Sequence, residues 1–579
     1  MKTHAFCITL RLLLITFFCF LLFVTVAPAE DNMLPEGLSG EQITRLGERM
    51  YRDGILPSGK PMEAIVMGDI PVDGRMFTCD DCHQKSGLGS VEGTVITWPT
   101  NGKELYKPRR RTGAWHPPES DETKQDARKS LPLYWQQIED VRPAYTDESL
   151  AQVLWTGIDP AGRKLDPIMP LYHLEDRDMV ILVHYLKNLS VDQAPGVDET
   201  TIRFATVVTE DVATEVRQAM VSTLQAHIDS HNSQSRHQER RAASGPFYKT
   251  EMHQAYRRWQ LDVWELKGPE NTWFNQLQSY YQNQPVFALL GGLTAGSWRP
   301  IHEFSEQFEI PTIFPLTDFP LISDSDWYTL YFSKGFYQEG EAVARYLNTN
   351  GNNLPDAKIV IAYRENLAAK ALNQGFSETW QKFEGTEPEY LEIGPDKKLT
   401  RQFWQNTLNT YQPTVLILWL APDDLEHISS IASKDMNRKI FFSAKQLNYS
   451  YTSIPDDLRD VVYLSYPRAL PETIEGRILV VNRWLQARKI PITDLEMQAK
   501  IYFLGWMLPG AVKNMRSEFF RDYFLEGFDM MIDQDYAIAV YPRLTFGSGQ
   551  RYASKGCYIV QLTKGPYPKL VRKSNWIIH

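Results

Sequence analysis

Residues 79–83 read Cys79-Asp80-Asp81-Cys82-His83, and this pentapeptide decides what the first third of the chain is. Two thiols three positions apart, followed directly by a histidine, form the attachment pattern of a c-type haem: the thiols add across the two vinyl groups and the histidine ligates iron from the proximal side. Other uses of the same residues fit less well. A redox Cys-x-x-Cys wants a βαβ context, and the flanks offer only an extended stretch over 75–78 and the glycine-rich Ser86-Gly87-Leu88-Gly89. A disulfide across so short a loop gains little. A four-ligand zinc site needs further thiols or histidines at metal spacing, and the one remaining mature cysteine, Cys557, is far away.

Working outward, the sixth iron ligand is expected in Asp166-Pro167-Ile168-Met169-Pro170-Leu171, where two prolines hold a methionine in a stiff loop. Met169 is favoured over Met62, Met67, Met76, Met179 and His173, and over a role as core filler. A thioether there fills the last coordination site and raises the reduction potential. A helix is predicted over 41–52 with Gly47 and Tyr51 one turn apart, and another over 176–189 with Leu182 and Tyr185 on one face. With Gly47-x-x-x-Tyr51 and Leu182-x-x-Tyr185, residues 38–190 resemble a class I cytochrome c, in which a glycine and an aromatic on the first helix cross a leucine and an aromatic on the last. The resemblance implies an all-α domain holding one covalent haem c. The 85 residues between His83 and Met169 are more than compact members have. Among them Lys107-Pro108-Arg109-Arg110-Arg111 reads as a solvated loop; neutralising haem propionates or docking an acidic redox partner is the alternative.

Residues 1–29 carry Lys2 and Arg11, no acidic residue, an apolar run over 12–26, and Ala27-Pro28-Ala29. This is the pattern of a cleaved secretory signal. Its 15 apolar residues fall short of the roughly 20 that a bilayer needs. Cleavage predicts a periplasmic protein with no membrane span, and it removes Cys7 and Cys19 of the five cysteines. It also takes two positive charges from a net −10, leaving −12. Nucleic acid, which needs a basic footprint, is excluded as a partner. The 579-residue length points to roughly three to four packing units, and 12% aromatic content excludes a disordered chain.

A polar stretch over 191–200 with Pro195-Gly196 reads as a linker. Beyond it, over 201–579, β-rich runs alternate with helical windows: strands near 202–208, 261–266, 286–290, 359–363, 414–420, 440–443 and 461–465, with helices between, including one over 423–431. Such alternation predicts doubly wound parallel sheets, and this much chain makes two lobes. A hairpin turning at Gly547-Ser548-Gly549, with Cys557 buried in it, is expected to close the sheet.

This order of elements, with Leu290-Gly291-Gly292-Leu293-Thr294-Ala295-Gly296-Ser297 and Ile310-Pro311-Thr312-Ile313-Phe314-Pro315, resembles a type 1 periplasmic solute-binding protein, the fold of branched-chain amino acid receptors. In that family the chain crosses to the second lobe as 331–347 does here. The resemblance implies a small ligand between the lobes, held by Thr294, Ala295, Ser297, Thr317 and Asp318 on the first lobe and by positions near Ala421 and Gln446 on the second. Ala295 stands where the family has a carboxylate-gripping serine, and Leu316 and Asp318 where small or hydroxyl residues are usual. The aromatic and acidic grips on an amino group are missing, so an anion other than an ordinary amino acid is expected. Trp298 and Arg299 read as an exposed helix-start pair, with an aromatic anion as the alternative ligand for them.

Gly291-Gly292 lacks the lysine and hydroxyl of a phosphate loop, and no nucleophile–base set stands out. The expectation is therefore not an enzyme but a periplasmic electron carrier with a His83/Met169-ligated haem, a redox partner protein, and a solute-binding or partner-docking module. The alternative is a solute receptor of an ABC-type uptake or sensing system with an accessory haem.

Overall fold

The structure is a computed structural model. It describes residues 35–578 apart from 36, 93–94, 111–140, 244–256, 324, 350–356, 432–437, 532–535 and 537. The leader expected over 1–29 lies outside the described residues, as does Arg111. Residues 1–192 and 193–579 form two compact units.

In the first unit, helix α1 (Gly40–Asp53) starts at a capping box made by Ser39 and Gln42. Strands β1 (Glu63–Val66) and β2 (Ile70–Asp73) follow, then the short helix α2 (Cys79–His83), α3 (Asp147–Thr156), β3 (Leu171–Tyr172) and α4 (Asp176–Asn188). The expectation of an all-α unit is corrected by a three-stranded antiparallel sheet in the order β2-β1-β3. Burial alternates along β1 and a turn at Met67-Gly68-Asp69 joins it to β2, which is a hairpin signal. The stretch expected as extended over 75–78 instead begins with a turn, where the Arg75 and Met76 amides donate to the Asp73 carboxylate and carbonyl.

Helices α1 and α4 cross at Gly47. A Cβ there would stand 2.4 Å from Tyr185 Cβ and 2.8 Å from the Ile181 carbonyl, so only glycine admits the approach. Tyr51 and Tyr185 meet at 5.5 Å between ring centroids, and Leu182 is fully buried beside them.

The second unit is the two-lobed α/β architecture with doubly wound sheets. Lobe 1 holds β4 (Thr201–Thr209), α5 (Thr214–Ala243), β5 (Arg258–Leu266), α6 (Trp273–Asn283), β6 (Ala288–Leu290), α7 (Arg299–Gln307), β7 (Thr312–Ile313) and β8 (Thr329–Ser333). The chain then enters lobe 2 as α8 (Phe336–Thr349), β9 (Ile359–Arg364), α9 (Leu367–Gln381), β10 (Glu389–Ile393), α10 (Arg401–Tyr411), β11 (Val415–Trp419), β12 (Lys439–Ser443) and β13 (Val462–Tyr466). It returns to lobe 1 for α11 (Pro471–Ala487), α12 (Leu495–Asn514), α13 (Arg521–Asp529) and β14 (Tyr552–Ser554). It ends in lobe 2 with β15 (Gly556–Leu562), β16 (Leu570–Arg572) and β17 (Ile577–Ile578). The sheet orders are β14-β8-β7-β6-β4-β5 and β10-β9-β11-β12-β13-β15-β16, with β17 beside β15. The first five strands of each lobe repeat one parallel winding, in which ligands settle at the carboxyl ends of the strands.

In the segment expected as a linker over 191–200, where the two units meet in the sequence, Ala194 is buried and its amide donates to the Phe519 carbonyl at 3.0 Å, while Pro195, Glu199 and Thr200 are exposed. Three expectations are corrected here. The 423–431 window holds two short 3-10 turns, Pro422–Leu425 and Ile428–Ile431, because Pro422 opens the first of them. The closing hairpin is absent, since β14 pairs in parallel with β8 in lobe 1 while β15 pairs antiparallel with β13 in lobe 2. Trp298 is fully buried, not exposed, because Gly292 leaves room for its ring, whereas Arg299 is exposed and pairs with Glu303 at 3.4 Å. Cys557 is buried, with its thiol 3.7 Å from the Gln338 carbonyl.

Candidate functional site

In the first unit, Thr78 caps α2 through its side chain, which places Cys79 inward and Cys82 at the surface. The His83 Nδ1–H donates to the Trp98 carbonyl at 2.8 Å. That bond fixes the ring and leaves Nε2 as the free donor atom, the usual arrangement of a metal-bound imidazole. Burial lowers the His83 pKa against this hydrogen bond, which favours the neutral, ligating form. The loop that carries Trp98 is tied back where the Gly89 amide donates to the His83 carbonyl at 3.0 Å. Gly89 has φ +74, and a Cβ there would strike the Thr97 carbonyl at 2.1 Å.

The Met169 loop comes to the same place. Met67 N–H donates to the Pro167 carbonyl at 2.8 Å, and β3 continues from the loop to bring the Tyr172 hydroxyl within 3.6 Å of the Cys79 thiol. Met169 packs, partly buried, against the core that contains Cys79. Of its rivals, Met62 and Met179 are buried in that core, while Met67 and Met76 are exposed, as are Phe77 and Ile168. Buried Cys79, exposed Cys82, an oriented imidazole and a nearby thioether are a donor set that fits haem c. In the basic run, the Arg109 guanidinium stacks 4.3 Å over the Trp98 ring and Lys107 pairs with Glu104 at 2.5 Å.

In the second unit a small open space between the lobes is bordered by Lys445, Tyr449, Arg468, Glu496, Lys500 and Tyr541. Lys445 follows the carboxyl end of β12, Arg468 follows that of β13, and Glu496 and Lys500 lie on the first turns of α12. Lys445 of lobe 2 forms an ion pair with Asp318 of lobe 1, and Arg468 pairs with Glu496, which Lys500 also holds at 3.0 Å. The Arg468 guanidinium lies 3.3 Å over the Tyr449 ring, and Lys500 stands 5.5 Å over that of Tyr541.

Burial works against the charges of Asp318, Glu496, Arg468 and Lys500, and in each case the neighbouring groups outweigh it. Lys445, Lys500 and Arg468 together hold Asp318 below its ordinary pKa. Lys500 and Arg468 do the same for Glu496. Tyr541, Glu496 and Asp318 outweigh burial and raise Lys500.

Of the ligand positions expected on the first lobe, only Asp318 joins this cluster. Thr294 Oγ1 donates to the Gly296 carbonyl, Ala295 N–H to Thr209 Oγ1, and Ser297 and Thr317 accept from the Arg299 and Phe319 amides. In the second lobe, Gln446 follows Lys445 directly, and Ala421 precedes a 3-10 turn. Sequence reading missed Arg468, Glu496 and Lys500. The available signals were a cation just beyond a predicted strand and a Glu/Lys pair four residues apart.

No family model matches the chain, and no curated protein matches it. The chain is similar to several solved structures. One is an ABC transporter substrate-binding protein from Sphaerobacter thermophilus, at 11% identity over 65% of this chain and 98% of that one, with a TM-score of 0.46. Another is an ABC transporter solute-binding protein of R. palustris in complex with benzoate, at 12% over 66% and 98%, TM-score 0.43. A third is a leucine-binding protein from Thermotoga maritima, at 11% over 65% and 99%, TM-score 0.40.

Proposed function

We propose that the protein is an exported, periplasmic solute receptor of an uptake or sensing system, and that its first unit carries one covalent haem c for electron transfer. The receptor reading is carried by the cleft: charged side chains from both lobes and from the segments between them converge on one open space at the carboxyl ends of the strands, where open α/β sheets bind ligands. A receptor gains its signal from a ligand that touches both lobes, and the Lys445–Asp318 pair shows side chains of the two lobes within reach of each other. Thermal-shift screening of the full chain against small metabolites tests this, because a ligand that binds the folded state raises its melting temperature. A broad panel with no stabilising compound refutes it.

Electron transfer rests on the hydrogen bond from His83 to the Trp98 carbonyl. Cys79 and Cys82 would hold the group covalently, with His83 and Met169 as its axial ligands. When bound, it supplies a one-electron couple whose potential the axial ligands set. The chain's own part is to orient the imidazole and to keep Tyr172 and the apolar core around the thiol of Cys79. Absorption spectra of protein matured with the haem-attachment machinery test the reading: a ferrous haem that binds carbon monoxide excludes a filled sixth site.

A further inference from the structure

We propose that the cleft takes a small monocarboxylate without an ammonium group, which binds by replacing Asp318 at Lys445. This rests on the receptor reading and names the ligand class for the same cleft. The cluster sets three cations, Lys445, Arg468 and Lys500, against two carboxylates, Asp318 and Glu496.

The two carboxylates are not equivalent. Glu496 is gripped by two cations, each of which also lies over a tyrosine ring, so its place is over-determined. Asp318 contacts a single cation, half of its side-chain surface is open, and Lys445 itself is 18% exposed. Displacement of the Asp318 side chain, half of which already faces solvent, would free Lys445, and one incoming carboxylate would restore the pair. Asp318 thus stands where the acid group of the ligand belongs.

The charge of the ligand follows. One monoanion takes the place of Asp318 and keeps the balance of three cations against two carboxylates, while an ammonium would be placed among three like charges and disfavoured. Behind Lys445, Glu339 is fully buried, accepts from Ser465 Oγ at 2.8 Å, and burial raises it to about 7, so it offsets only part of that excess near neutrality.

The test is calorimetric titration of the full chain with two matched pairs, 3-phenylpropionate against phenylalanine and propionate against alanine. Each pair differs by one ammonium. The acid should bind about tenfold or more tightly than its amino acid, and Lys445→Met should weaken it about tenfold, the scale of a charge-assisted hydrogen bond. Asp318→Asn, a half-exposed change that leaves the fold intact, should tighten it severalfold. Preference for the amino acids, or loss of binding in Asp318→Asn, overturns the ligand class and makes Asp318 an ammonium grip, with the receptor reading intact. Binding confined to neutral or cationic compounds in the wider thermal panel likewise overturns the class alone. No binding by either pair or by that panel overturns both.

Discussion

Substituting Gly47 by alanine turns the crossing of α1 and α4 into a measurement whose sign is decided by geometry. On helix propensity alone, alanine in a helix interior gains about 1 kcal/mol over glycine. Against that, the new Cβ would lie 2.4 Å from Tyr185 Cβ and 2.8 Å from the Ile181 carbonyl oxygen. Carbon atoms prefer about 3.5–4.0 Å, so the helices must part by about 1 Å at the crossing, and a gap of that size forfeits a quarter to a half of each contact's attraction. The contacts at risk belong to Ile43, Met50, Tyr51, Ile181, Leu182 and Tyr185, all buried in the core of the first unit. We take about 3–5 kcal/mol for the clash, the upper end of overpacking costs, because one of the atoms met is backbone and cannot repack. Subtracting the propensity gain leaves a net loss of about 2–4 kcal/mol. Hydrogen exchange followed by mass spectrometry, peptide by peptide, reads this directly, with peptides from the second unit as the internal reference. Protection over 40–53 and 176–188 should fall by about 25- to 700-fold. Exchange that is unchanged, or about fivefold slower as propensity alone predicts, would refute the crossing.

Three further outcomes are expected. Met169→Ala should lower the reduction potential and open the iron to carbon monoxide, as loss of a thioether ligand does; an unaltered spectrum hands the ligand role to another residue. Arg521 donates to the carbonyls of Val286, Phe287 and Phe308 and to the Tyr281 hydroxyl. Its replacement by alanine should cost about 3–5 kcal/mol in urea unfolding, since several acceptors lose a charged donor at once, and lysine should recover less than half because one ammonium cannot span them. Glu339 is fully buried and burial lifts its carboxyl from an ordinary 4.5 to about 7. The folded state therefore holds the extra proton between those values, and stability falls as pH rises through that window. Glu339→Gln should flatten this segment of the pH profile and be more stable at pH 8 by about 3 kcal/mol; a profile identical to that of the native chain refutes the assignment.

Most strands of both lobes were legible because a strand covered on both faces reads as an unbroken apolar run, as Val415–Trp419 does, buried at every position. Thr329–Ser333 is buried as fully yet was not predicted, and neither was the mostly exposed Glu389–Ile393. The helix crossing at Gly47 was legible only through the resemblance to a class I cytochrome c, in which a glycine and an aromatic on the first helix cross a leucine and an aromatic on the last. What periodicity cannot say is which sheet a strand joins. Residues 552–562 read as one arm of the expected hairpin, yet Lys555 divides them between two lobes. The cue was a repeat. Tyr331-Phe332-Ser333-Lys334-Gly335 and Tyr552-Ala553-Ser554-Lys555-Gly556 share a pattern, and the structure pairs them in parallel with Tyr331 opposite Tyr552 and Ser333 opposite Ser554.

The same topology explains why Thr294 to Ser297 do not border the open space between the lobes. Thr294 to Ser297 do follow a strand's carboxyl end, but α12 lies over the turn that begins there: a Cβ on Gly291 would come within 2.9 Å of Ile501. Helix α12 reaches that position only because the chain has gone to lobe 2 and come back, and it brings Glu496 and Lys500 with it. Arg468 stands on the return segment itself, and Gly335, which also borders the open space, on the outward one. The residues that line the cleft are thus partly the residues that join the lobes. Under the proposed receptor reading, a ligand that engages Arg468 would touch the connection between the lobes as well as their facing surfaces.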